Sequence, residues 1–160
     1  TAAASNELAG WSTGAELSLD WLVTPNWRLQ FSYTWSRLDM NSYADPAIQA
    51  DAQLLEKSAP HHYGSLRSQW NVDSRQQIDA WLRASGGFER LDAPYTTTIR
   101  VPGYVTLDLR YAYRFDKSLE VALIGRNLIG ARRFEYVSDY IPTVATELAP
   151  SVLLTTRWTF

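Results

Sequence analysis

Three patterns in this 160-residue chain predict an all-β fold, an antiparallel up-and-down meander of about seven strands that is part of a transmembrane β-barrel. Apolar and polar residues alternate with period two in seven segments. Aromatic rings gather at the ends of those segments, where the two interfaces of a bilayer would lie. The connections alternate between short and long, as in outer-membrane barrels, whose short side is periplasmic.

The first strand is expected over residues 11–23, where Trp11, Ala15, Leu17, Leu19, Trp21 and Val23 alternate with Ser12, Gly14, Glu16, Ser18 and Asp20. A turn at Thr24, Pro25 and Asn26 makes a hairpin with a second strand from Trp27, in which Leu29, Phe31, Tyr33 and Trp35 share a face. After Ser36 the period dissolves into a polar stretch up to about Pro60, read as a loop or as a loop with a short helix over residues 48–55.

Third and fourth strands fit residues 63–70 and 77–85, although Tyr63 and Trp81 fall on their polar side. Gly86 and Gly87 permit a bend or bulge before a loop running to Gly103. The fifth strand has the cleanest alternation: Val105, Leu107, Leu109, Tyr111, Tyr113 and Phe115 oppose Thr106, Asp108, Arg110, Ala112 and Arg114. Asp116 and Lys117 turn the chain into a sixth strand, 119–127, and after a loop over 129–149 a seventh runs from Val152 to Phe160.

Charges obey the same alternation. Glu16, Asp20, Arg28, Arg67, Asp79, Arg83, Asp108, Arg110, Arg114, Glu120, Arg126 and Arg157 all fall opposite the apolar face. Arg37 breaks the rule if the second strand continues past Ser36. A soluble β-sandwich would alternate in the same way with its apolar face inward. The girdles and connection lengths favour the membrane. Trp21, Trp27, Trp70, Tyr113, Phe115, Trp158 and Phe160 cluster at the short-turn end, and Trp11, Trp35 and Tyr104 at the other. Seven strands ending at the short-turn side predict an incomplete barrel, since bacterial single-chain barrels have an even number and an open edge in lipid leaves backbone groups unpaired.

Composition excludes several classes. No run approaches the ~18 apolar residues of a membrane-spanning helix. With no cysteine there are no disulfides or thiolate metal sites, and a net charge of -2 without basic runs argues against a nucleic-acid partner. The opening residues TAAASNELAG have neither the positive start nor the apolar run of a signal peptide. His61 and His62, the two histidines, are adjacent and in a strand would point to opposite faces, so no shared metal or catalytic pair is expected, and neither an enzyme nor a cofactor is. Asp39, Asp45, Asp51 and Glu56 read as solvated loop carboxylates.

The segment VPGYVTLDLRYAYRFDKSLEVALIGRNLIGARRFEYV, residues 101–137, resembles the C-terminal signature of TonB-dependent receptors, with a Pro-Gly-Tyr entry, two strands across a short turn and an Asn-Leu pair. APSVLLTTRWTF resembles their last strand with its terminal aromatic, SAPHHYGSLRSQW an earlier Ala-Pro plus strand, and TGAELSLDWLVTPNWRLQFSYTWSRLDM a Gly-x-Glu strand beside a Tyr-rich one. Ile129 and Gly130 depart from the aromatic and acidic residues more usual there.

The resemblance implies a C-terminal segment, residues 1–160, of a 22-stranded barrel in the cell outer membrane, contacting its lipid. An N-terminal plug, TonB and a ferric siderophore or similar large ligand are its implied partners. Arg132, Arg133, Glu135, Tyr136, Asp139 and Tyr140 in the last long loop are candidates for contact with an anionic ligand, because Arg and aromatic side chains suit rigid anions. Asp108, Arg110, Arg114, Arg126 and Arg157 are expected to face the lumen, pairing across strands or touching the plug. The alternatives are a small complete barrel, with residues 53–58 or 2–8 supplying an eighth strand, and a soluble β-sandwich binding module.

Overall fold

In a computed structural model the described residues are 8–42, 46–91, 97–130, 132–135, 144 and 146–160. The elements run β1 Leu8–Thr24, β2 Trp27–Ser42, α1 Pro46–Lys57, β3 His62–Asn71, β4 Gln76–Ser85, β5 Phe88–Leu91 and β6 Thr98–Val101. They continue with β7 Tyr104–Arg114, β8 Leu119–Arg126, β9 Arg133–Phe134, β10 Glu147–Leu148 and β11 Ser151–Trp158. One antiparallel sheet contains β1, β2, β3, β4, β7, β8 and β11 in that order. These are the seven strands of the sequence pattern, each beside its neighbour in the chain once the small hairpins are set aside.

Register carries the alternation across the sheet. Leu19, Phe31, Leu66, Leu82 and Leu107 stand opposite one another in a row from β1 to β7. Nearer the short turns, Trp27, Trp70, Ile78, Tyr111, Leu123 and Leu154 form a second row. On the opposite face Asp20, Gln30, Arg67, Trp81 and Asp108 line up in the same way.

Burial is inverted relative to a water-soluble sheet. Leu19 is 54% exposed, Leu123 52% and Leu154 72%, whereas the buried residues of the seven-stranded sheet are the small Thr106, Ala112 and Ala122 on the charged face. Among the described residues no second layer covers the apolar face, so the sandwich, which needs that face inside, does not fit. A sheet with its leucines outward is stable against hydrocarbon, the environment of a barrel wall.

Each short turn is closed by a side chain. The Thr24 hydroxyl accepts the Asn26 N–H at 3.3 Å. Asp73 accepts the N–H groups of Arg75 and Gln76 at 2.7 and 2.8 Å, and Asp116 those of Ser118 and Leu119 at 2.7 and 2.9 Å. Rings stand beside these turns. Trp27 faces Trp70 and donates its indole N–H to Ser68 at 2.9 Å, and Tyr113 meets Phe115 edge-on at 4.8 Å.

On the long-connection side the structure departs from the sequence reading. β2 does not end at Ser36 but continues to Ser42, paired with β1 back to Leu8. Arg37 therefore does share a face with Trp35, as does Asp39, and the two side chains pair at 2.7 Å. Strand and hydrocarbon end at different places: the apolar face stops at Trp35 while the ladder goes on. β3 supports β2 only as far as Trp35, opposite His62.

Beyond that point α1 takes over. Met40 N–H donates to Glu56 Oε1 at 2.6 Å and Ser42 N–H to Gln49 Oε1 at 2.7 Å, so helix side chains satisfy a strand edge that would otherwise be open. Ala52, between these two acceptors, is fully buried. Residues 53–58 thus supply a helical turn and no eighth strand, and Glu56 is a structural acceptor where a solvated carboxylate was expected.

The predicted loop from Gly86 to Gly103 contains the β5–β6 hairpin. Its base is a close crossing of two glycines, since a Cβ on Gly103 would lie 2.9 Å from Ser85 O and 3.0 Å from Gly87 N. Only residues without a side chain fit there.

Candidate functional site

The charged face holds its side chains in a chain of ion pairs built by register. Asp79 and Arg110 stand opposite each other on β4 and β7, and Arg110 reaches Gln77 at 2.7 Å, Asp79 at 3.4 Å and Glu120 at 2.7 Å. Arg114 adds a 3.4 Å contact to Glu120, and Arg157 stands opposite Glu120 on β11. One step toward the long connections, Arg83 donates to Asp108 at 2.6 Å. Arg126 closes β8, opposite Ser151. The structure thus places Asp108, Arg110, Arg114, Arg126 and Arg157 on one face.

Trp81, one of the two aromatic residues that fall on the polar side of the alternation, lies among these charges. The guanidinium of Arg83 is 4.7 Å from its ring centre and that of Arg67 5.9 Å, so the indole is a platform for two cations. Its misfit in the sequence pattern was the signal that could have marked the site.

The last long loop is anchored by Asn127, which leaves β8 with φ 53°, a left-handed conformation that Asn tolerates better than most residues. Its N–H donates to Asp108 at 2.8 Å, its side-chain oxygen accepts from Thr106 at 3.1 Å and from Arg133, and its amide nitrogen donates to Leu148 O at 3.3 Å. Arg133 also reaches Glu135 at 3.0 Å and stacks 4.3 Å from the Tyr104 ring. With its side chain only 9% exposed, Arg133 is engaged inside the chain.

Of the loop residues singled out by sequence, Arg133 and Glu135 are therefore brought together as an internal pair, and Arg132 is exposed. Tyr136, Asp139 and Tyr140 lie outside the described residues. Asn127, Thr106 and Tyr104, which hold the loop, were not singled out. In the sequence the Asn-Leu pair carries only a family resemblance, because two of the partners of Asn127 come from β7, about twenty residues away.

His61 and His62 do not converge. His61 Nδ1 bonds Ser36 O at 2.8 Å, while His62 Nδ1 meets the Tyr33 hydroxyl at 2.8 Å on the apolar side. Among the described residues no group of three or more His, Asp or Glu side chains is placed to hold a metal ion.

An outward apolar face, an opposite face of ion pairs, short turns alternating with long connections and rings at the strand ends define a segment of a transmembrane β-barrel. A family model described as TonB dependent receptor-like, beta-barrel matches residues 5–128. The chain belongs to that family. Comparison with curated proteins gave no match.

Among solved structures, the siderophore receptor PiuA from Acinetobacter baumannii aligns with a TM-score of 0.70 at 24% identity, over 92% of this chain and 21% of that one. The ferric-catecholate import receptor Fiu from E. coli aligns with a TM-score of 0.70 at 21% identity, over 94% and 21%. FpvA of P. aeruginosa bound to a heterologous pyoverdine aligns with a TM-score of 0.72 at 15% identity, over 92% and 19%. At these identities the likeness is one of fold. The chain spans about a fifth of the length of the structures it matches.

Proposed function

We propose that this chain is the C-terminal part of the barrel of an outer-membrane receptor that takes up a ferric siderophore or a similar large solute, driven through TonB. The observation that carries this reading is the family match over residues 5–128, and the likeness in fold to solved structures named as siderophore and ferric-catecholate receptors supports it.

In this reading the charged face lines the lumen and meets an N-terminal plug, while the leucine face meets lipid. The last long loop, held by Asn127 and Arg133, presents Arg132, Tyr136, Asp139 and Tyr140 to the solute, with Arg133 and Glu135 setting its position. The role is that of a receptor and not of an enzyme.

The test is uptake of radiolabelled iron in cells with and without the gene, supplied with a panel of catecholate, hydroxamate and mixed siderophores. Loss of uptake for one class on deletion, restored by the wild-type gene and abolished by an uncoupler, is the expected result. Unchanged uptake across the panel in iron-starved cells would overturn the reading.

A further inference from the structure

We infer that Arg67, Arg83 and Arg126, which line one depression with Trp81 on the charged face, form a binding site for a polyvalent oxyanion, a ligand carrying two or more carboxylate or phosphate groups. The site is a depression between β3, β4, β7 and β8.

Four guanidiniums line the depression, those of Arg67, Arg83, Arg110 and Arg126, against the two carboxylates of Asp79 and Asp108. Arg110 takes Asp79 and Glu120, and Arg83 takes Asp108, whose other oxygen receives the Asn127 N–H. Among the described residues no carboxylate then lies within ion-pair distance of Arg67 or Arg126. Arg83 also has its Nε buried with no acceptor, although it is a strong donor, and a bound oxyanion would supply one.

Geometry puts these donors around one floor. Arg67 and Trp81 are register partners, Trp81 and Asp108 are the next pair, and Arg126 ends β8 one residue beyond the Leu109–Gly125 pair. Three strand spacings of about 4.8 Å separate the backbones of Arg67 and Arg126. Both arginines line the same depression, and two side chains of that length can close the span onto a di- or tricarboxylate held between them. Trp81 already holds two cations against its ring, and the repulsion between them is relieved by an anion that bridges the two guanidiniums beside the ring. One step toward the short turns, Asp79 Oδ1 is buried without a donor, and its charge limits the anion on that side.

Arginine suits this task because its planar fork bonds oxyanions in pairs. The inference rests on the charged face lining the lumen. Binding is read in detergent without uptake, so its failure is separate from failure of the uptake experiment.

The experiment is calorimetric titration of the full-length receptor, purified in detergent at low ionic strength, with tricarballylate and, at matched ionic strength, acetate. The Arg67→Gln/Arg126→Gln double variant is compared with Arg75→Gln, which removes a guanidinium from a short turn, and heat-modifiable gel mobility checks that each forms a barrel. Saturable binding of tricarballylate and not acetate, weakened at least tenfold in the double variant alone, is the expected result and identifies a free solute. If tricarballylate does not bind the wild type and the double variant alone unfolds at a lower temperature, the arginines pair with an acidic side chain of the receptor and the ligand site is overturned. Equal binding by wild type and double variant, or no binding with unchanged unfolding, overturns the inference.

Discussion

Asp108 accepts the Asn127 N–H at 2.8 Å through Oδ1 and the Arg83 guanidinium at 2.6 Å through Oδ2, so one carboxylate ties the start of the last loop to the fourth strand. Asn127 answers with its side chain, taking the Thr106 hydroxyl and Arg133. Two properties of this residue can be separated by substitution. Asn127→Gly keeps the left-handed backbone and loses the side-chain bonds, whereas Asn127→Ala loses both. We expect Asn127→Ala to be less stable than Asn127→Gly by about 1–2 kcal/mol, measured by denaturant unfolding in detergent. Equal stability would mean that the φ of 53° is not imposed by the fold.

The two faces should respond oppositely to a new charge. Leu123, in mid-strand on the apolar face, and Thr155, on the charged face opposite Ala122, provide the comparison. Leu123→Arg is expected to cost about 2–4 kcal/mol in folding into bilayers, the penalty for Arg near the midplane. Thr155→Arg should cost much less. A reversed order would exchange the lipid and lumen faces.

At the tip of β2, the Met40 N–H depends on Glu56. Glu56→Ala leaves that donor to water and should speed exchange of the Met40 amide roughly fivefold, the factor for about 1 kcal/mol. Glu56→Gln retains an acceptor and should stay near wild type. Exchange at Leu66 in β3 is the internal control and should not change.

Asp73 lies outside the strands, and its carboxyl is held below the usual carboxylate range, first by the Arg75 N–H and then by the Gln76 side chain. A group with a lowered folded pKa stabilises the fold above its unfolded value, and that contribution is lost as pH falls through the folded value. The β3–β4 turn should therefore loosen below about pH 4, and Asp73→Asn should remove this turn's share of the acid sensitivity. The Arg75 amide resonance followed by NMR from pH 6 to pH 2 reports the transition directly. A titration in the usual carboxylate range would refute the turn bonds.

The strands were legible because each meets one environment on each side, and a period of two is the direct consequence. Leu107, Leu109 and Tyr111 must all satisfy the same apolar neighbour, so alternation survives every residue of β7. Legibility failed where an element has mixed neighbours. Past Trp35 the second strand leaves the apolar environment, Arg37 and Asp39 become acceptable on its outer side, and the pattern dissolves while the hydrogen bonds continue. The β5–β6 hairpin was hidden for a similar reason, its strands of four residues each being too short to establish a period. In the candidate site the charges were visible and their partners were not. Nothing local to Arg133 announces that it lies on Tyr104, and nothing local to Trp81 announces two cations.

The helix that covers the tip of β2 touches its edge through Gln49 and Glu56, two side chains seven residues apart, and not through a backbone ladder. Such a seal asks little of the intervening sequence beyond helicity and two acceptors at that spacing. The residues of the helix that face away from β2 can therefore vary without reopening the strand edge it protects.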